Sequence, residues 1–137
     1  MTLETALSVS ASGLSVQRTR LKLTASNIAN AETTRGADGG PYRRRDPVVA
    51  SVPFDEAMNG AVRGARITEV QSDSAPPRMV YDPDHPDAAS DGMVAMPNIN
   101  PVDEMVNLLT EQRAFEANAT AFGAAKTMIA RALDLLR

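Results

Sequence analysis

All nine prolines of this 137-residue chain lie between Pro41 and Pro101, leaving the first 40 and the last 36 residues without one. Proline inside a helix removes a backbone donor and clashes with the preceding turn, at a cost of roughly 3 kcal/mol. The two ends are therefore free to be long helices, and the middle is not. Three segments follow: 1–31, 32–100 and 101–137. The composition agrees with this division. Apolar residues make up 43% of the chain, enough for a core, but aromatics only 4%, with no Trp. Alanine and leucine must carry the packing, which suits closely packed helices better than a broad sheet sandwich.

The first segment predicts a helix from Leu3 to Ala31, with Thr2 as N-cap and Glu4 in the first turn, where the helix dipole favours an anion. Leu7, Leu14, Leu21 and Ile28 repeat every seven residues. Val9, Val16 and Leu23 repeat with the same period. At ~100° per residue this second stripe falls on nearly the opposite face. Two stripes predict two partners, one within the chain and one outside it. The Leu7 stripe is assigned to the chain's own C-terminal helix, and the Val9–Val16–Leu23 stripe to a neighbouring subunit; the reverse assignment fits the pattern equally.

The last segment opens on Asn100-Pro101, a good N-cap followed by the residue favoured at N1, with Asp103 and Glu104 in the first turn. Leu108, Phe115, Phe122, Ile129 and Leu136 then repeat every seven residues. Small residues such as Ala114, Ala117, Ala121 and Ala124 allow close helix approach. Two heptad-patterned helices at opposite ends of one chain predict an antiparallel intrachain coiled coil. The fold class is thus mainly α with a small β-containing middle. A helical hairpin in a monomer has the same pattern, but it leaves one stripe in water, and such patches mark association.

In the middle, strands are predicted at Val48–Val52, Arg66–Val70, Met79–Tyr81 and Met93–Met96, bounded by turn residues, with Glu56–Val62 ambiguous. Four short strands make hairpins or a small sheet with little core of their own.

Few residues suggest chemistry. Asp82, Asp84, His85, Asp87 and Asp91 form the one cluster resembling a hard-cation site. The run is interrupted by Pro83 and Pro86 and lacks the glycine and final glutamate of a calcium loop, so a structured turn is expected and no metal. Arg43-Arg44-Arg45 beside Tyr42 is a short basic run that reads first as a solvated or salt-bridged face; it would also suit phosphate, anionic lipid, or the acidic middle of a neighbour, which holds 11 acids against 7 bases between Glu32 and Pro101. The net charge of −3 argues against a dedicated nucleic-acid binder. No cysteine is present, which excludes disulfides and thiolate metal sites. No apolar run approaches the ~20 residues needed to span a bilayer, so membrane insertion is not expected. The first 20 residues lack the basic and apolar blocks of a secretory leader. No catalytic residue and no cofactor are expected. A metal-dependent hydrolase at Asp82–Asp91 and a soluble helical adaptor are the competing readings.

The ordered motifs are more specific than any of these features. Ser26-Asn27-Ile28-Ala29-Asn30-Ala31-Glu32-Thr33-Thr34-Arg35-Gly36 resembles the Asn-Ile/Leu-Ala-Asn signature near the N-terminus of flagellar rod and hook proteins. Gly39-Gly40-Pro41-Tyr42-Arg43-Arg44-Arg45, Asp82-Pro83-Asp84-His85-Pro86-Asp87-Ala88 and Pro97-Asn98-Ile99-Asn100-Pro101-Val102-Asp103-Glu104-Met105-Val106 are similar to segments of proximal-rod members, in the same order. Arg113-Ala114-Phe115-Glu116-Ala117-Asn118 resembles the C-terminal helix signature of the whole axial family. The resemblance implies a structural subunit of the basal-body rod, the drive shaft crossing the periplasm, whose termini form the inner coiled-coil domain of a tube. It implies export by the flagellar type III apparatus, without a cleaved signal peptide. The implied partners are further copies of the chain, other rod proteins and the adaptor joining the rod to the MS ring. Asn27, Ile28, Ala29, Asn30, Thr33 and Gly36 are the motif positions expected to shape the helix end and a subunit contact.

Overall fold

The computed structural model describes residues 3–53 and 63–135. Six elements follow in order: α1 (Leu3–Ala29), β1 (Arg45–Pro53), β2 (Arg63–Ser72), β3 (Arg78–Tyr81), β4 (Met93–Met96) and α2 (Pro101–Asp134). Each of the four expected strands is present, and β1 and β2 are longer than the apolar runs that announced them. Thr2, Glu56–Val62 and Leu136, by contrast, lie outside the described residues.

The helices begin and end for local reasons. Asn100 caps α2: its side chain accepts a hydrogen bond from the Val102 N–H, with Pro101 in the first turn. At the end of α1, Asn30 Nδ2 donates to the Ser26 carbonyl and Thr33 Oγ1 donates to Asn30 Oδ1. The Ser26 carbonyl also accepts the Asn30 N–H, so Asn30 closes the last turn with both its backbone and its side chain, and α1 stops two residues before the expected Ala31.

The helices, 27 and 34 residues long, pack side by side. They measure about 40 and 50 Å. Asn27 meets Glu104, and Gly13 meets Asn118, so position falls along one helix as it rises along the other and the pair is antiparallel. A methyl group on Gly13 would lie 3.0 Å from Asn118 Oδ1, so the missing side chain permits the close approach.

The covered face of α2 follows a strict four-three alternation: Glu104, Leu108, Glu111, Phe115, Asn118, Phe122, Ala125 and Ile129 are its buried or half-buried positions, joined by Ala114. Leu108, Phe115, Phe122 and Ile129 are the expected apolar half. The other half is polar at its first three positions. Polar groups in a helix seam fix register at a cost in stability, so this pair is specified more firmly than it is stabilised.

The middle forms two antiparallel hairpins, β1–β2 and β3–β4. In the first, Arg45 pairs with Ser72 and Pro53 with Arg63, with a bulge between Val48 and Val49. In the second, Arg78 pairs with Met96 and Tyr81 with Met93. Gly92, at φ +75° and with Tyr81 Cε2 only 2.8 Å from where a Cβ would sit, admits no side chain there.

The first hairpin corrects the assignment of Val16 to a neighbouring subunit. It lies on α1, where the Ala65 N–H donates to Ser12 Oγ and Val52, Ala65 and Ile67 gather around Val16. Val16 is only 5% exposed, packed inside its own chain and not presented to a neighbour. Leu7, Leu14, Leu21, Ile28, Val9 and Leu23 are all half-buried. A strand pair of nine and ten residues reaches back over the helix, which the short apolar runs did not foretell. A run of exposed apolar side chains lies on α2: Val102, Met105, Val106 and Leu109 are 52–65% exposed on one side of its first turns.

Candidate functional site

Where α1 ends and α2 begins, three separate stretches of sequence meet at Asn27. This side chain is 1% exposed. Its Nδ2 donates to the Arg45 carbonyl at 3.0 Å and to Glu104 Oε2 at 3.2 Å. Its Oδ1 accepts from the Arg45 N–H and from the Tyr42 hydroxyl, both at 3.0 Å. An asparagine amide offers two donors and two acceptor sites, and all four are used. Against Arg45 the side chain acts as one more rung of the ladder, pairing with the backbone N–H and carbonyl as a neighbouring strand would. Glutamine, one methylene longer, cannot keep both rungs, and aspartate has no donor for the carbonyl.

Glu104 is the second hub, 2% exposed. Its Oε1 accepts from Arg44 Nε at 2.7 Å, and its Oε2 from Asn27. Arg44 also pairs with Asp46. Burial opposes the charge on Arg44, but the hydrogen bond to Glu104 and the charges of Asp46, Glu104 and Asp73 outweigh it, holding the guanidinium pKa above its ordinary value. With Tyr42 donating to Asn27, Ser26 Oγ donates to the Tyr42 oxygen at 3.2 Å. The result is a clamp joining helix, loop, strand and helix by directional bonds. Val94, Pro97, Ile99 and Ala31 are the buried apolar residues of the same stretches of chain. A closed set of directional hydrogen bonds of this kind holds geometry.

Of the expected motif positions, Asn27 is the centre, Asn30 and Thr33 close the helix end, and Gly36 starts a turn in which its N–H donates to the Gly40 carbonyl at 2.7 Å, with Gly39 at φ +79°. Ile28 is half-buried and Ala29 exposed. Tyr42, Arg44 and Glu104 were not foreseen in this role. The basic run was read as a solvated or salt-bridged face; Arg44 is salt-bridged, and its partners Glu104 and Asp46 belong to its own chain. Extended backbone sends alternate side chains to opposite faces, and Glu104 sits one seam position before Leu108. Both signals are in the sequence.

Further along the seam, Glu111 Oε2 and Gln17 Oε1 are shielded from water with no hydrogen-bond partner among the described residues. Burial pushes the Glu111 carboxyl above the ordinary carboxylate value, partly offset by a hydrogen bond from Thr24 and the charge of Arg20, while Glu104 and Asp46 raise it further. A raised acid binds its proton more tightly in the folded chain than in the unfolded one. Its cost is therefore complete above the folded pKa and is relieved as pH falls through that value toward the unfolded one. Replacing Glu111 by Gln is expected to raise stability at pH 7 by no more than about 1 kcal/mol, or about 3 °C in Tm, since the residue as a whole is only half-buried and Thr24 and Arg20 offset part of the cost. Thermal unfolding from pH 4.5 to 7, an interval starting at the ordinary carboxylate value, checks this: the wild-type chain should lose stability relative to the variant as pH rises. Parallel curves would show that Glu111 carries no such cost.

The aspartate cluster forms the β3–β4 connection. Asp87 accepts from Thr34 Oγ1 at 2.8 Å and pairs with Arg35 at 2.6 Å, while Asp91 accepts from the Met93 N–H. Among the described residues no three of these groups converge on a point where a cation would sit.

Comparison with known proteins matches both ends of this architecture. The family model described as "Flagella basal body rod protein" matches residues 7–37, and "Flagellar basal body rod FlgEFG protein C-terminal" matches residues 90–135. Flagellar basal-body rod protein FlgC of Borreliella burgdorferi is 38% identical, covering 100% of this chain and 99% of that protein. The FlgC proteins of Salmonella typhimurium and Aquifex aeolicus are also 38% identical, over 93% and 94% of this chain and 92% and 93% of their own lengths. The matched segments contain Asn27 and Glu104, the two hubs of the clamp. With both helices and the clamp that joins them inside the shared region, and with relatives alike from end to end, the chain belongs to the flagellar basal-body rod protein FlgC family.

Proposed function

We propose that this rod subunit builds the periplasm-spanning drive shaft by burying the outer face of α2 against its neighbours, with the α1–α2 pair working as an antiparallel coiled coil in the wall of the tube. The observation that carries this reading is the apolar surface left after the chain has covered what it can. Val102, Met105, Val106 and Leu109 stay more than half exposed while α1 is covered by both α2 and the first hairpin. Each such side chain is worth ~1.5–3 kcal/mol when buried. Many modest contacts spread along parallel helices resist bending and twisting, as torque transmission requires. The partners are other copies of this chain, other rod proteins and the adaptor between rod and MS ring, with the flagellar type III apparatus acting as exporter. The reading assigns no catalytic residue, no metal and no cofactor.

Fractionation of cells tests location and route together. The chain is expected in purified basal bodies of normal cells and in the cytoplasm of cells lacking the flagellar export apparatus. Normal envelope amounts in the export-deficient cells would refute the route.

A further inference from the structure

The clamp uses the backbone of Arg45 but neither the Arg43 nor the Arg45 side chain. The β1–β2 ladder extends back to Arg44, whose carbonyl accepts from the Asp73 N–H. Arg44 turns its side chain inward to Glu104. By strand alternation its two neighbours then share the opposite face. Both are exposed, and both line one cleft beside the Gly36–Gly40 turn. Neither guanidinium makes an ion pair among the described residues, and Asp38, which also lines the cleft, reaches neither. Two like charges held two residues apart repel, and a carboxylate between them relieves that repulsion through charge-assisted hydrogen bonds.

The same chain carries the complement. The β3–β4 connection is held in one shape: the His85 N–H donates to the Asp82 carbonyl, the Ala88 N–H to the His85 carbonyl, and the Asp87 N–H to His85 Nδ1. Asp87 is tied to Arg35 and Thr34. Asp84, at the tip, is exposed and pairs with no cation among the described residues. A fixed acidic tip loses little freedom on docking.

We propose that the cleft formed by Arg43 and Arg45 receives the Asp84 carboxylate of a second copy, a polar contact in addition to the helix packing; this rests on the reading that copies of the chain lie side by side in the rod. A patch and its complement on one subunit make a heterologous contact, which propagates into a ring or a helix instead of closing as a pair. The partner recognised is thus the same chain, through its rigid acidic turn.

The absence of native cysteine allows a direct test. Arg43→Cys and Asp84→Cys, singly and together, place thiols at two exposed sites. Basal bodies are purified and treated with a short bismaleimide that spans the length of the replaced arginine. Multiples of the chain mass are expected from the double variant and not from either single one. In parallel, Asp84→Arg should reduce the soft-agar swarm several-fold, and adding Arg43→Asp with Arg45→Asp should restore it. Basal bodies that contain the double-cysteine chain but yield only monomer would overturn the contact, as would a charge reversal with no effect or with no rescue. A wild-type chain missing from basal bodies would instead overturn the rod reading beneath it.

Discussion

Glu104→Ala should abolish motility, because it removes the acceptor on which Arg44 and Asn27 both depend. Glu104 is buried, and Arg44 is mostly so. Breaking one partner of such a pair costs about 3 kcal/mol, since a charge stays behind without its counter-ion. The loss falls where α1, β1 and α2 are fixed to each other, so the helix pair loses its register as well as its energy. Removing both charges together should do less harm. The double variant Glu104→Met with Arg44→Met leaves no buried orphaned ion, since Asp46 is more than half exposed, and apolar replacements of a buried pair are often neutral. Soft-agar motility and the amount of chain in purified basal bodies are the measurements. The expected order is wild type, then the double variant, then Glu104→Ala. A single variant that swims as well as wild type would mean that the clamp does not hold the subunit together.

The second large effect separates the inside of the subunit from its outside. Val16→Asp places a charge between α1 and the first hairpin, on a side chain only 5% exposed, and costs several kcal/mol even with Arg66 lining the same space. Leu109→Asp places a charge on a side chain already 57% exposed and should cost the free chain less than 1 kcal/mol. Both are expected to abolish motility, but by different routes. Circular dichroism and thermal unfolding of the purified chains should show Val16→Asp disordered and Leu109→Asp like wild type. A motile Leu109→Asp strain would show that this face of α2 is not an assembly surface. A Val16→Asp chain with wild-type unfolding would contradict the packing of the hairpin on α1.

The two long helices and all four strands could be read from proline placement, the heptad repeat and the Asn100-Pro101 cap, because these are local signals. The polar half of the seam escaped notice because Glu104, Glu111 and Asn118 look like surface residues when apolar residues alone define a stripe. The same seven-residue step that links Leu108 to Phe115 links these three to Ala125. Val16 was assigned to a neighbour because strand length, and so the reach of the β1–β2 hairpin, depends on pairing between residues far apart in sequence. Asn27 was legible as a motif residue, yet its partners were not, since Tyr42, Arg44 and Glu104 converge only once the chain has closed on itself.

That closure has a kinetic side. Asn27 and Glu104 are 77 residues apart, so joining them costs about 4 kcal/mol of chain entropy before any contact rewards it. The hairpins close over short spans and form in about microseconds. The two end helices, which gain most of their stability from packing against each other, must wait for the encounter across the whole chain. A subunit built this way is slow to stiffen and easy to thread while its ends are still apart, and it becomes a rigid strut only when the last and longest loop is shut.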